Sequence, residues 1–190
     1  MGVARALGDD QRALELGASA LSKFDQLKPT DEQQQRNKYF YLRWAHNEMA
    51  QAAYQVKDYA AAESHMAQIL DIRKKIPARR PGEKREAAID EAFAALMLSR
   101  LNRQAEAQRL IAPALKFERE LSPLNHDDPS QRLELAITLY VAAVAGLGDP
   151  AAQLTEAAAL IDHLPQEMRQ LRSTALIRND IALEQKGRGK

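Results

Sequence analysis

Apolar residues recur along this chain at three- and four-residue spacing, the period of helices that each bury one face. The clearest stretch runs from Met49 to Leu70. Small residues (Ala50, Ala53, Ala62) stand where two backbones would approach closely. Larger ones (Met49, Tyr59, Met66, Ile69, Leu70) would fill the seam between them. Lys57-Asp58 interrupts the pattern and reads as a tight turn, so the stretch predicts a helical hairpin.

The same reading extends to the rest of the chain. Residues 2–7 form the end of a helix, and Gly8 with Asp9 or Asp10 turns the chain into a helix over 11–27 that Pro29 stops. Thr30 and Gln33 have capping-box spacing and open a long helix to Val56. Further helices are predicted over 59–75, 83–101 and 104–120, the last with a kink at Pro113, which lacks a backbone N–H. Asp128, Pro129 and Gln131 start a helix that Gly146-Leu147-Gly148 ends near Ala145. Asp149-Pro150 starts another, ending near Leu164-Pro165. A final helix covers 166–184, and 185–190 is expected to be a flexible tail.

The turns at Gly8, Lys57, Asn102 and Gly148 recur at intervals of 49, 45 and 46 residues. Five residues after each stand Ala13, Ala62, Ala107 and Gln153. Four further stand Gly17, Met66, Ile111 and Ala157; three further, Ala20, Ile69, Ala114 and Leu160. Pro29, Pro77, Pro123 and Pro165 close the units. A repeated helix–turn–helix unit is the signature of an α-solenoid. In these residues the chain resembles the tetratricopeptide repeat, with a longer period than that family's roughly 34 residues. The fold class expected is therefore all-α: a solenoid of antiparallel helix pairs, about three and a half units with a C-terminal capping helix. The units run roughly 2–29, 30–77, 82–123 and 128–165, with the cap at 166–184, in one helical-repeat domain over 2–184.

The resemblance implies a concave groove that binds a protein or peptide. By position in the pattern its lining would be Trp44, Asn47, Gln51, Tyr54 and Gln55 from one unit and Ile89, Ala92, Leu96, Ser99 and Arg100 from the next. Trp44 and Tyr54 could equally be packing residues between long helices. The family's clamp for a terminal carboxylate needs basic residues where Ile89 and Phe93 stand, which argues against that ligand. A second expectation is a regulatory or sensory region of a larger bacterial signalling protein, such as a serine/threonine kinase, to whose helical tails the composition is loosely similar.

Composition narrows the remaining classes. Lys and Arg total 27 against 26 for Asp and Glu, so no global field attracts nucleic acid or an anionic membrane. A local exception is the basic stretch Arg73, Lys74, Lys75, Arg79, Arg80, Lys84 and Arg85, the basis of a third reading as a nucleic-acid or anionic-ligand site. No aromatic residue interleaves it, so base stacking is unsupported and nucleic acid is not favoured. The chain has no cysteine, and His46, His65 and His163 fit no metal motif. Asn125-His126-Asp127-Asp128 lacks a second ligand group at metal spacing. No phosphate loop, nucleophile elbow or paired catalytic carboxylates are present. Neither an enzyme nor a cofactor is expected, and no run is long enough for a membrane span. The expected location is the cytoplasm. The pattern opens in mid-helix, so a longer parent protein is expected, and the apolar face left at the N-terminal edge predicts self-association through residues 3–24.

Overall fold

A computed structural model describes residues 1–76, 80–122 and 127–188. Pro77 and Pro123, expected to close two units, lie outside the described residues, as do Arg79 and Asn125-His126. All regular secondary structure among the described residues is helical: α1 (Gly2–Ala6), α2 (Asp10–Asp25), α3 (Glu32–Gln55), α4 (Tyr59–Lys75), α5 (Pro81–Arg100), α6 (Gln104–Leu121), α7 (Pro129–Val144), α8 (Pro150–Asp162), α9 (Gln166–Gln170) and α10 (Arg172–Arg188). The chain divides into two compact units, Met1–Glu83 and Lys84–Lys190.

Within the first unit, α3 contacts both α2 and α4. Gly17 marks the closest approach of α2 to α3: a Cβ there would meet Met49 Cγ at 2.4 Å. In the second unit, α7 contacts α6 and α8, and α10 rests on α8. An unbroken run from Leu135 to Ala143 is buried, as is Ala94 to Ser99 of α5. Helices apolar on every side belong inside a unit rather than at its surface.

Four hairpin turns share one geometry. Gly8, Lys57, Asn102 and Gly146 each adopt the left-handed backbone conformation, at φ of 87°, 65°, 60° and 71°. The next residue's N–H then bonds back to a carbonyl five positions earlier: Asp9 to Ala4, Asp58 to Ala53, Arg103 to Leu98 and Leu147 to Ala142, all at 2.9 Å. This arrangement satisfies carbonyls that a helix end leaves open. Asp9 and Asp58 then cap the following helix by accepting from the N–H groups of Arg12 and Ala61. Arg103 takes that place without a side-chain cap.

The fourth turn corrects the alignment drawn from sequence. Gly146, not Gly148, ends α7, and two further residues precede the cap Asp149. The buried positions of α8 are Leu154, Ala157 and Ile161. Gln153, a misfit in the sequence alignment, is partly exposed, because Leu154 takes the inward place. The start of α3 also moves. Asp31 caps it by accepting from Gln34 N–H at 2.7 Å, while Gln34 Oε1 accepts from Thr30 N–H at 3.1 Å. At the start of α7 Asp128 caps as expected, but Gln131 turns inward instead of closing a box. Pro113 is exposed and α6 runs through it without a break. The expected capping helix is two helices, interrupted at Leu171 with extended backbone. The expected tail from 185 is helical to Arg188, which donates to the Ala143 carbonyl at 3.0 Å.

Candidate functional site

The long helix α3 has more apolar residues than its two neighbours can cover. Leu42, Ala45, Met49, Ala52 and Ala53 are buried. Phe40, Tyr41 and Trp44 are left 54%, 45% and 43% exposed. Tyr41 stacks on Phe24 of α2, ring centres 5.4 Å apart and planes 15° from parallel. Phe40 meets Tyr41 edge-on at 5.6 Å. On one side of the Phe24–Tyr41 stack is a hollow of about 310 Å³ formed by Trp44, Phe24 and residues of the α2 surface, Leu16, Ser19, Ala20 and Lys23, together with Met1. On the other side Tyr41, Leu27, Lys28, Pro29, Gln34, Asn37 and Lys38 line a hollow of about 230 Å³. Aromatic rings held by stacking, with one face open, form a preorganised apolar surface of the kind that anchors a partner.

The residues expected to line a groove fall into two groups. Trp44, Asn47 and Gln51 follow at helical spacing along α3, and Asn47 and Gln51 are partly exposed. Further along, Tyr54 leans on Tyr59 at 5.6 Å, and Gln55 ends the helix partly exposed. Of the lining residues expected from the second unit, Ile89 is partly exposed. Ala92 and Leu96 are buried, and so is Ser99, whose hydroxyl donates to the Ala95 carbonyl at 2.9 Å. Arg100 donates to Glu184 at 2.9 Å and to the Tyr140 hydroxyl at 2.7 Å, tying α5 to α10 and α7.

The basic stretch is largely committed within the units that carry it. Lys74 pairs with Asp71 at 2.7 Å, and Lys75 sits over the Tyr39 ring at 5.9 Å. Arg73 also has a partner. Arg80 is exposed and its backbone N–H donates to Glu83. Lys84 is exposed, whereas Arg85 bridges Glu134 at 2.8 Å and Asp128 at 3.1 Å.

Three buried polar arrangements were not foreseen from sequence. Glu48 is 6% exposed and takes two bonds from Arg5, Nε at 3.0 Å and Nη2 at 3.2 Å. Glu118 is fully buried on α6 and accepts from the Gln131 side-chain amide. Burial, with the nearby Glu134 carboxylate adding to it, pushes Glu118 up to about 7. His46 and His65 bring their Nδ1 atoms to 3.0 Å, one ring nitrogen donating to the other. Burial, then the facing His65, lowers His46 to about 4, and burial lowers His65 as well. Among the described residues no three His, Asp or Glu side chains are placed to hold a metal ion. The signal for the two glutamates is their register: Glu48 adjoins Ala45 and Met49, and Glu118 continues Ile111 and Ala114, all inward-facing.

No helix among the described residues is long and apolar enough to cross a membrane. Comparison with protein-family models, with curated proteins and with solved structures returned no match.

Proposed function

We propose that this chain is a protein-interaction module of tetratricopeptide-like helical pairs stacked as an α-solenoid, which binds a segment of a partner protein. The observation that carries the reading is the aromatic strip of Phe24, Tyr41, Trp44 and Phe40 on α2 and α3. Phe24, Tyr41 and Phe40 are held by their ring contacts, and Trp44 stands half-exposed across the hollow it shares with Phe24. The binding mode is docking of apolar anchors into a largely preformed surface, and it involves no chemical step. Display selection of random peptides on the full chain tests it. Selected peptides should lose binding to Trp44→Glu, a variant at a half-exposed position that keeps the fold. Selection that enriches nothing, or peptides that bind Trp44→Glu as well as the parent chain, would overturn it.

Self-association is a second reading, favoured by Val3 and Leu7, which are 76% and 81% exposed. Sedimentation velocity over a wide concentration range should show a dimer that Leu7→Glu dissolves. A strictly monomeric parent chain would remove this reading without touching the first.

A further inference from the structure

The charged residues that line the two hollows beside the aromatic strip are all cationic. Lys23 lines the hollow under Trp44, and Lys28 and Lys38 line the one beyond Tyr41. Among the described residues, neither hollow has an Asp or Glu in its lining. Elsewhere in the same unit cations meet carboxylates: Arg5 with Glu48, Arg12 with Glu15, Arg36 with Glu83 and Lys74 with Asp71. Lys38 instead donates to two backbone carbonyls, those of Asp25 and Leu27, each at 2.9 Å. These hold the ammonium at the C-terminal end of α2 and carry no full negative charge to neutralise it. Lys23 and Lys28 are exposed and have no ion pair among the described residues.

We infer that the strip receives a segment whose large apolar anchors are flanked by carboxylates, an inference that rests on the interaction-module reading above. Apolar anchors fill the two hollows, while acidic side chains beside them meet Lys23, Lys28 and Lys38. From Asn37 in one hollow to Trp44 in the other the surface follows two turns of α3, about 10 Å at 1.5 Å per residue. A partner helix with anchors two turns apart matches that length. Complementary charge supplies direction and register and rejects basic competitors, whereas burial of the anchors supplies most of the affinity.

Sequencing the peptides selected on the full chain tests the charge directly. The expected pool is net acidic, with Asp or Glu around a Phe, Leu or Trp. Rebinding to Lys23→Glu/Lys28→Glu should fall about tenfold or more, and the parent chain should bind more weakly as ionic strength rises. Both lysines are exposed, and an unchanged circular dichroism spectrum and thermal midpoint confirm that the variant is folded. A neutral or basic pool overturns the acidic-partner inference, as does equal binding to the charge-reversed variant. If Trp44→Glu still abolishes binding in either case, the module reading stands alone. An empty selection, or a pool indifferent to Trp44→Glu, overturns both.

Discussion

Each unit buries a glutamate on an inward helix face, and the two are treated differently. In the first unit Glu48 receives a forked pair of bonds from Arg5, so its carboxylate has a matching cation. In the second, Glu118 has an amide from Gln131, while the arginine of that cluster, Arg85, is spent on Glu134 and Asp128. Burial without a cation favours the neutral acid, hence the rise of Glu118 to about 7. Both glutamates face inward, and what differs is the neighbour: an arginine for Glu48 and an amide for Glu118. The first unit holds its own group poised against charging, the His46–His65 pair, kept neutral by burial.

The largest effect expected is from Arg5→Met. It strands the Glu48 carboxylate and should lower the first unit's stability by about 3 kcal/mol, the range for breaking a buried pair. Trp44 is the chain's one tryptophan, so its fluorescence through a urea titration follows this unit alone. An unchanged midpoint would mean that Glu48 does not depend on its cation.

Next is the pH response of Glu118. Its folded value lies above its ordinary 4.5, so its contribution is full below about 4.5 and is lost as pH rises through about 7. The loss is about 3 kcal/mol at most. Glu118→Gln should flatten that slope, read as amide hydrogen exchange along α6 and α7. A slope that survives the substitution would move its source to another group.

Ala62 and Ala107 test where the two units should agree. Each is fully buried five residues beyond a left-handed turn residue. Leucine at either site should overpack its helix pair and cost roughly 2 kcal/mol, nearly equally in the two. Thermal midpoints of the two variants compare them, and a harmless substitution in one unit alone would show that the pairs pack differently.

The smallest effect is the mirror image of the second. His46 is held below its ordinary 6.5, so its contribution is present above 6.5 and is lost as pH falls toward 4. Both rings are partly exposed, which limits the change to on the order of 1 kcal/mol. His46→Gln should remove it from the Trp44 fluorescence profile. Between about 4.5 and 6.5 these groups make the first unit more stable with rising pH and the second less so.

The helices were legible because their evidence is local: three-and-four periodicity, aspartate caps and turn residues need no knowledge of distant chain. The turn at Gly146 was misplaced because Gly146 and Gly148 both adopt positive φ, and only the backbone bonds show which one closes α7. The break at Leu171 has no glycine, proline or capping residue to announce it. Of the candidate surface, Trp44 could be named from sequence, but the parts played by Phe24 and Tyr41 could not. Their stacking depends on how α2 crosses α3, set by Gly17 against Met49. Ser99 and Arg100 were assigned to a groove because the repeat pattern ranks helix faces, whereas α5 is enclosed on several sides. Glu48, Glu118 and the histidine pair needed partners from other helices, which no spacing along one helix reveals.

The left-handed turns also bear on how fast the chain folds. Each reverses direction within a few residues, so helices that pack together are joined by some of the shortest loops a chain can close. Closing a ten-residue loop takes about 10–100 ns, and helix–coil relaxation about 0.1–1 μs. The first encounters between paired helices therefore carry little entropic barrier, and contacts close in sequence place helical proteins of this kind in the microsecond-to-millisecond range. A substitution at Lys57 or Asn102 that disfavours positive φ would slow the closing of that hairpin, a kinetic defect for stopped-flow mixing to detect.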